Sequence, residues 1–423
     1  MRRSYFFAIV IAGGVVVIFT LLFFIFDNPY SRLNPTPEVV IDQIDLDMQL
    51  PPLANQTADV ELITVWTGAA LGMTTGVDGQ RLVFYDQDKK KIVVTEFDGS
   101  GIQELSDTLL GVERMDVSPT REQAWLRLTA PETQEAITLV YDFRAQEAVR
   151  LENGIKSIDW SPDGSELAYY VEREGASPAI KIVARNGIEP RTVRDAVTVQ
   201  DPIIDWYAPD ALAYWLAPSS TRPSSVITMN TFGQNAVELS GSVPAQQALF
   251  SPDGTYALVS FNDPTTSKPV MQLSTTADRT LQTLPLTTWI DKCTWMDDSA
   301  RALCFVPRDL PGGFTYPEDD DATRSYRDQL WLIDAATARP QLIFETQESI
   351  ADARLPFAAQ TGTRLNFWVR ASDTAGAGRA GLTVVSLDIS DKVISPSVPG
   401  SDQPDTTQET NNATGDDSVN LTY

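Results

Sequence analysis

The sequence predicts an all-β protein, a seven-bladed β-propeller behind a single N-terminal transmembrane helix, and three observations carry that expectation. A tight-turn phrase recurs, "IDWSPDGSELAYYV" at 158–171 and "QALFSPDGTYALVSF" at 247–261. Between about residues 59 and 390 the chain is almost continuous period-2 or apolar strand pattern, with no long 3.6-residue period. At the N-terminus stands an uncharged run long enough to cross a bilayer.

Residues 1–4 hold Arg2 and Arg3, and Tyr5 to Phe26 carry no charge. As a helix that run spans roughly 33 Å, enough for a hydrocarbon core. A cleaved signal peptide would have a shorter apolar region ending in small residues, whereas here Phe-Ile-Phe runs straight into "DNPYSRLNPTPE". The expectation is an uncleaved signal anchor. Arg2 and Arg3 then keep the N-terminus in the cytoplasm and place everything after Phe26 outside it, in a periplasm or on the cell surface. Residues 27–58 are rich in Pro and acids and read as an extended stalk. Residues 391–423 contain few large apolar side chains and read as a disordered tail.

Between them, residues 59–390 divide into seven units: "LGMTTGVDGQRLVFY", "ERMDVSPTREQAWLRL", "SIDWSPDGSELAYYV", "IIDWYAPDALAYWL", "ALFSPDGTYALVSF", "CTWMDDSARALCFV" and "RLPFAAQTGTRLNFWV". Each is followed by a third strand such as "KIVVTEF", and usually by a short fourth such as "IQELS". Four short strands at a period of about 43 to 46 residues describe a propeller blade, which needs neighbours to cover both faces. The repeated phrase is the bend between the first two strands. Ser161 and Ser251 open it, Pro162 and Pro252 preset φ, Asp163 and Asp253 tolerate the next position, and Gly164 and Gly254 accept φ > 0. Trp160, Phe250 and Trp295, just before the bend, are expected to pack between sheets. The seventh unit ends with its third strand, "GLTVVSLDIS", so "VELITVW" (Val60 to Trp66) is expected to complete it and cover an open edge.

The "WSPDG…LAY" phrase resembles the repeat of the TolB-like, or PD40 (WD40-like), propellers. It is also similar to the N-terminal propeller of the dipeptidyl peptidase IV and prolyl oligopeptidase families. The match is strong in the third and fifth units, partial in the second ("SPTR") and fourth ("YAPD"), and faint in the seventh. The chain further resembles membrane-anchored bacterial propellers with a "KCTW…ALCFVP" blade followed by a long loop. For these the resemblance implies binding or scaffolding. The peptidase likeness stops at the propeller, because no hydrolase domain follows.

Composition narrows the chemistry. With 32 Lys and Arg against 57 Asp and Glu, a net charge of -25, nucleic acid is not an expected partner. There is no His, so Ser-His-Asp and Cys-His catalysis and His-ligated zinc are excluded. Gly376, Gly378 and Gly381 spell G-x-G-x-x-G in "GAGRAG", but a loop between two strands is not the strand-to-helix turn that a dinucleotide fingerprint needs. "PEDDDAT", with Glu318 to Asp321, offers carboxylates to a calcium ion or simply forms a solvated loop. The sequons at Asn55, Asn412 and Asn420 fall in stalk and tail. No metal, cofactor or catalytic residue is assigned, and the chain is expected not to be an enzyme.

Two features carry the remaining expectations. Registering "CTWMDDSARALC" on "IDWSPDGSELAY" sets Cys293 opposite Cys304 on adjacent strands, where a disulfide forms if they share a non-hydrogen-bonded pair. The insertion "DLPGGFTYPEDDDATRSYRD" (309–328) is far longer than a hairpin needs, and as a link from second to third strand it should overhang the face opposite the "SPDG" turns, beside 217–225 and 262–269. There Phe314, Tyr316 and Tyr326 offer amphipathic rings, and Arg308, Arg324 and Arg327 offer planar donors to a carboxylate. Equally, the aromatics could pin the loop to its own blade. The function expected is a membrane-anchored, externally displayed binding or scaffold module for a protein, peptide or glycan. The alternative is a His-free carbohydrate-active enzyme using Asp and Glu at the channel mouth. Acids clustered at that mouth would favour the alternative, and apolar or aromatic loops the binding module.

Overall fold

The computed structural model describes residues 62–76, 78–130, 132–197, 202–320, 326–345, 352–358, 364–370 and 382–389. The expected helix Tyr5 to Phe26, the stalk, the tail, the "GAGRAG" glycines and the three sequons lie outside these residues. Among the described residues no helix is long and apolar enough to cross a membrane, and a 3-10 turn at Ile290–Lys292 interrupts the strands.

Seven four-stranded antiparallel sheets follow one another along the chain. Their first strands are Ala70–Thr75, Val112–Val117, Ile155–Trp160, Pro202–Ala208, Gln247–Phe250, Cys293–Trp295 and Ala353–Ala358, the inner edges of blades 1 to 7, and those of blades 1 to 5 line a central channel. The architecture is an all-β, seven-bladed propeller. Its apolar side chains sort into seven inter-blade clusters, one for each pair of neighbours. Val83 and Tyr85 of blade 1 pack with Met115 and Leu126 of blade 2, and so on round to Val65, Phe84 and Trp368, which join blade 7 to blade 1. Trp160, Phe250 and Trp295 lie inside these clusters. The Trp295 indole also donates to the Leu249 carbonyl of the preceding blade at 2.9 Å. Burial on both faces explains why the strands read as apolar runs instead of clean alternation.

The recurrent turn is built twice with the same bonds. Ser161 Oγ donates to Asp163 Oδ1 at 2.7 Å and accepts from the Glu166 amide at 2.9 Å, while Ser251 Oγ donates to Asp253 at 2.7 Å and accepts from the Tyr256 amide at 3.0 Å. Gly254 has φ +71°, and a Cβ there would stand 2.7 Å from the Ala208 Cβ of the preceding blade. The Asp253 amide donates to Ser299 Oγ in the equivalent turn of blade 6 at 3.0 Å. The turns therefore interlock as well as reverse the chain.

Closure uses the N-terminal strand. Leu62–Trp66 pairs antiparallel with Leu382–Asp388 and becomes the outer strand of blade 7. In blade 6, Cys293 and Cys304 are direct cross-strand partners, with Cα atoms 4.1 Å apart and an S–S bond of 2.08 Å. Blade 4 departs from the repeat: besides its four strands, Pro223–Ser224 pairs with Val243–Pro244 as a separate ribbon. Pro223 and Pro244 have no N–H to extend the blade's ladder, so this pair stands apart.

Candidate functional site

The inner strands begin on one face of the ring, and the links from second to third strand emerge on the same face. There the channel opens into a cavity of about 860 Å³. Blades 1 to 4 wall it through Gly72, Glu113 to Asp116, Ile155 to Ile158 and Pro202 to Ile204, and Gln247, Asp291 and Tyr316 close the far side. Gly72 is there for space: its φ is +61°, and a Cβ would meet the Met115 carbonyl oxygen at 2.3 Å.

The insertion between the second and third strands of blade 6 is a strap across this face. Ser220 of blade 4 donates its amide to Glu318 at 3.0 Å, Asn262 of blade 5 donates to the Tyr316 carbonyl at 2.6 Å, and Arg354 of blade 7 forks onto Asp320, with one bond of 2.6 Å. Beneath it Trp289 is fully buried, with ring centroids 5.4 Å from Phe314, 5.2 Å from Tyr316 and 5.8 Å from Tyr326. Beside the indole, buried Lys292 donates to Asp328 at 2.8 Å, to Asp352 at 3.0 Å and to the Ala353 carbonyl at 2.9 Å. Arg354 donates to Asp352 as well, at 2.9 Å.

The aromatics expected on the ligand face are packed under the strap instead. Phe314, Tyr316 and Tyr326 are only 2%, 4% and 4% exposed, because Trp289 supplies apolar ground for the loop to fold back on. Their rings hold the strap, and those of Phe314 and Tyr326 are kept from the cavity. Tyr316 alone of the three reaches the cavity, donating its hydroxyl to Asp291 at 2.8 Å. Arg308 and Arg327 sit exposed at the strap's root, Arg327 paired with Asp309 at 2.6 Å, and neither lines the cavity. Arg324 lies outside the described residues. The acidic run is divided among separate tasks. Glu318 caps Ser220, Asp319 accepts the Thr315 amide at 2.8 Å and Asp320 pairs with Arg354, while Asp321 is outside the described residues. Among the described residues no group of three or more His, Cys, Asp or Glu is placed to hold a metal ion.

The cavity's own charged lining went unremarked in the sequence. Arg114 and Arg127 are cross-strand partners in blade 2, and Arg127 Nη1 donates to the Lys156 carbonyl on the inner strand of blade 3 at 3.1 Å. Deeper in, Asp116, Asp159 and Asp205 occupy equivalent positions of blades 2, 3 and 4. Asp159 accepts the Trp206 amide at 2.6 Å, and Ser157 accepts that of Ile204 at 3.0 Å, so blade 3 side chains satisfy the free edge of blade 4. Burial, and then the Asp159 charge, push Asp116 up to about 7, and burial raises Asp159 itself. Asp205 rises well above the usual carboxylate range for the same two reasons that act on Asp116. Burial also raises Asp291, against the hydrogen bond from Tyr316. The usable signal was position: charged residues at the start of a blade's first strand face the channel.

No protein-family model matches the chain, and no curated protein sequence does. Solved structures share its fold. An oligogalacturonate lyase in complex with manganese aligns at TM-score 0.53 and 10% identity, covering 78% of this chain and 90% of that one. The propeller domain of the Trilobed protease from Pyrococcus furiosus aligns at TM-score 0.52 and 10% identity, covering 76% and 96%. TolB from Acinetobacter baumannii covers 76% and 78% at 13% identity, with a TM-score of 0.41 that adds no weight. The first two neighbours support the propeller fold, the second being a β-propeller domain by its own description. At these identities the likeness is one of fold. It nevertheless overturns the expectation that the chain is not an enzyme, since the same fold is a lyase in a neighbouring structure. The lack of His in the sequence does not decide the matter.

Proposed function

We propose that the chain is a ligand-binding propeller displayed on the outer side of a membrane by Tyr5 to Phe26, and that the strapped mouth of its channel is the ligand face. One observation carries the reading. A 20-residue insertion that ring closure does not need is fixed to blades 4, 5 and 7 around a cavity of about 860 Å³. Such anchoring supports a preorganised concave site of a size suited to a small molecule or the end of a longer one. The uncharged run and the two arginines before it support the display.

The test uses the full chain in detergent with single cysteines, both native ones being in the disulfide. A photo-cross-linker at Ala217→Cys, on the cavity wall, should capture ligand from the protein's own compartment. The same probe at Glu122→Cys, on the turn face, should not. Equal capture at both sites would refute the placement.

A second reading, a carbohydrate-active enzyme, is favoured by one fact: Asp116, held at about 7, and the raised Asp291 line the same cavity. A carboxyl near neutrality both gives and takes protons. The resemblance to an oligogalacturonate lyase fold is in keeping with it. Turnover of an oligosaccharide that disappears in Asp116→Asn would establish this reading, and turnover untouched by that change would remove Asp116 from it.

A further inference from the structure

We propose that the cavity is an oxyanion site, in which Arg114, Arg127 and Lys156 hold a small ligand carrying at least two carboxylate or phosphate groups. The inference rests on the strapped mouth being the ligand face, and adds the chemistry of what enters it. In a chain of net charge -25, cations are expected to be neutralised by the surplus of acids. Among the described residues these three make no salt bridge, although the Arg114 charge acts on Asp116 from a distance. All three line one cavity.

Two of the nearby acids bond to neutral hydroxyls and not to these cations. Glu113 accepts the Thr129 hydroxyl at 2.5 Å, and Asp291 accepts that of Tyr316 at 2.8 Å. Asp116, the remaining acid of the lining, is pushed up to about 7 by burial, so below that pH it opposes the three cations less. The Arg127 guanidinium is held in place by the Lys156 carbonyl, a bond that uses one of its five N–H donors and no charge. Its fork is therefore positioned but electrostatically unsatisfied, the state that suits bidentate capture of a carboxylate or phosphate. Arg114 stands opposite it in the sheet, and Lys156 supplies a point charge from the next blade. Cations from two blades around one opening favour a ligand with two or more anionic groups over a single ion. Their attraction is strengthened by the low-dielectric walls that Leu71, Ile155 and Ile203 provide.

The experiment is calorimetric titration of the full chain in detergent at low salt with citrate, pyrophosphate and, as a neutral control, glucose. Citrate or pyrophosphate should bind saturably, with Kd below about 1 mM and weakening as salt is raised. Whichever binds more tightly distinguishes a carboxylate ligand from a phosphate one. Arg127→Ala should weaken binding at least tenfold and Arg127→Lys by less, since it keeps charge without the fork. Lys156→Glu, at an exposed position, should abolish it, with an unchanged melting temperature as the control for folding. The inference is overturned if neither polyanion binds, or if either binds equally well to Lys156→Glu. Cross-linking at Ala217→Cys keeps the two ideas apart: capture that persists in Lys156→Glu, with no polyanion binding, sinks the oxyanion site and leaves the ligand face standing.

Discussion

Replacing Trp289 by Ala should release the strap before it unfolds the ring. The indole is fully buried, stacked against Phe314 and Tyr316, edge-on to Tyr326 and 5.4 Å beneath the Lys292 ammonium. A buried indole removes roughly 200 Å² from water, worth about 5 kcal/mol at about 25 cal/mol per Å², and Trp→Ala changes in cores cost about 3–5 kcal/mol. Most of that interaction links the strap to the ring, so the loss should first appear as local opening. A cost of about 3 kcal/mol raises the open population more than a hundredfold, and cleavage of a rapidly reclosing segment follows that population. Trypsin cleavage after Arg308 or Arg327 should therefore accelerate by about two orders of magnitude in Trp289→Ala. Trp289→Phe, which keeps a ring on the same ground, should stay within about tenfold of the native rate. Unchanged cleavage and an unchanged melting temperature in Trp289→Ala would refute the claim that this cluster holds the strap.

Acidity should act through Asp116, Asp159 and Asp205. Their folded values are raised, so between about pH 4 and the folded values the native state keeps protons that the unfolded chain has lost, and stability falls as pH rises through that window. Asp205→Asn should raise the melting temperature at pH 8 and flatten its decline from pH 5, and an identical pH profile would count against the trio. Deleting Val60 to Trp66 exposes the edge of blade 7 and should lower the melting temperature and promote aggregation, whereas deleting residues 30–50 should do neither. Replacing Cys293 and Cys304 together by Ala should cost about 2 kcal/mol in denaturant titrations, because the bridged loop is short. If Tyr5 to Phe26 anchors the chain, protease added to intact cells, or to spheroplasts where an outer membrane exists, should digest the body; protection in both preparations would rule out external display.

What could be read from the sequence was whatever repeats or lies close along the chain. The Ser-Pro-Asp-Gly turn shows its chemistry in four consecutive residues, and the seven hairpin units that align with it count the blades. The facing of Cys293 and Cys304 follows from laying one hairpin on another. The cavity lining was hidden because it is assembled from different blades: Arg127 and Lys156 are 29 residues apart, and nothing local in "WLRL" or "GIKS" marks them as neighbours. The strap misled for another reason. Pro, Gly and acidic residues around Phe314 and Tyr316 look like an exposed loop, and the buried ground under them, Trp289, sits in a short inter-blade link that resembles any strand end.

The outer strand of blade 7 also sets an order of events during synthesis. Leu62–Trp66 leaves the ribosome ahead of every blade, yet its partner, Leu382–Asp388, comes more than 300 residues later. At about 5–20 residues per second the early strand waits tens of seconds with its hydrogen-bonding edge unsatisfied while six blades assemble behind it. Ring closure is thus the most non-local step in the molecule and the natural bottleneck of its folding. Until it happens, both ends of an open arc of sheets are exposed to pairing with another nascent copy, and whatever shields the first strand during that interval governs the yield of native protein.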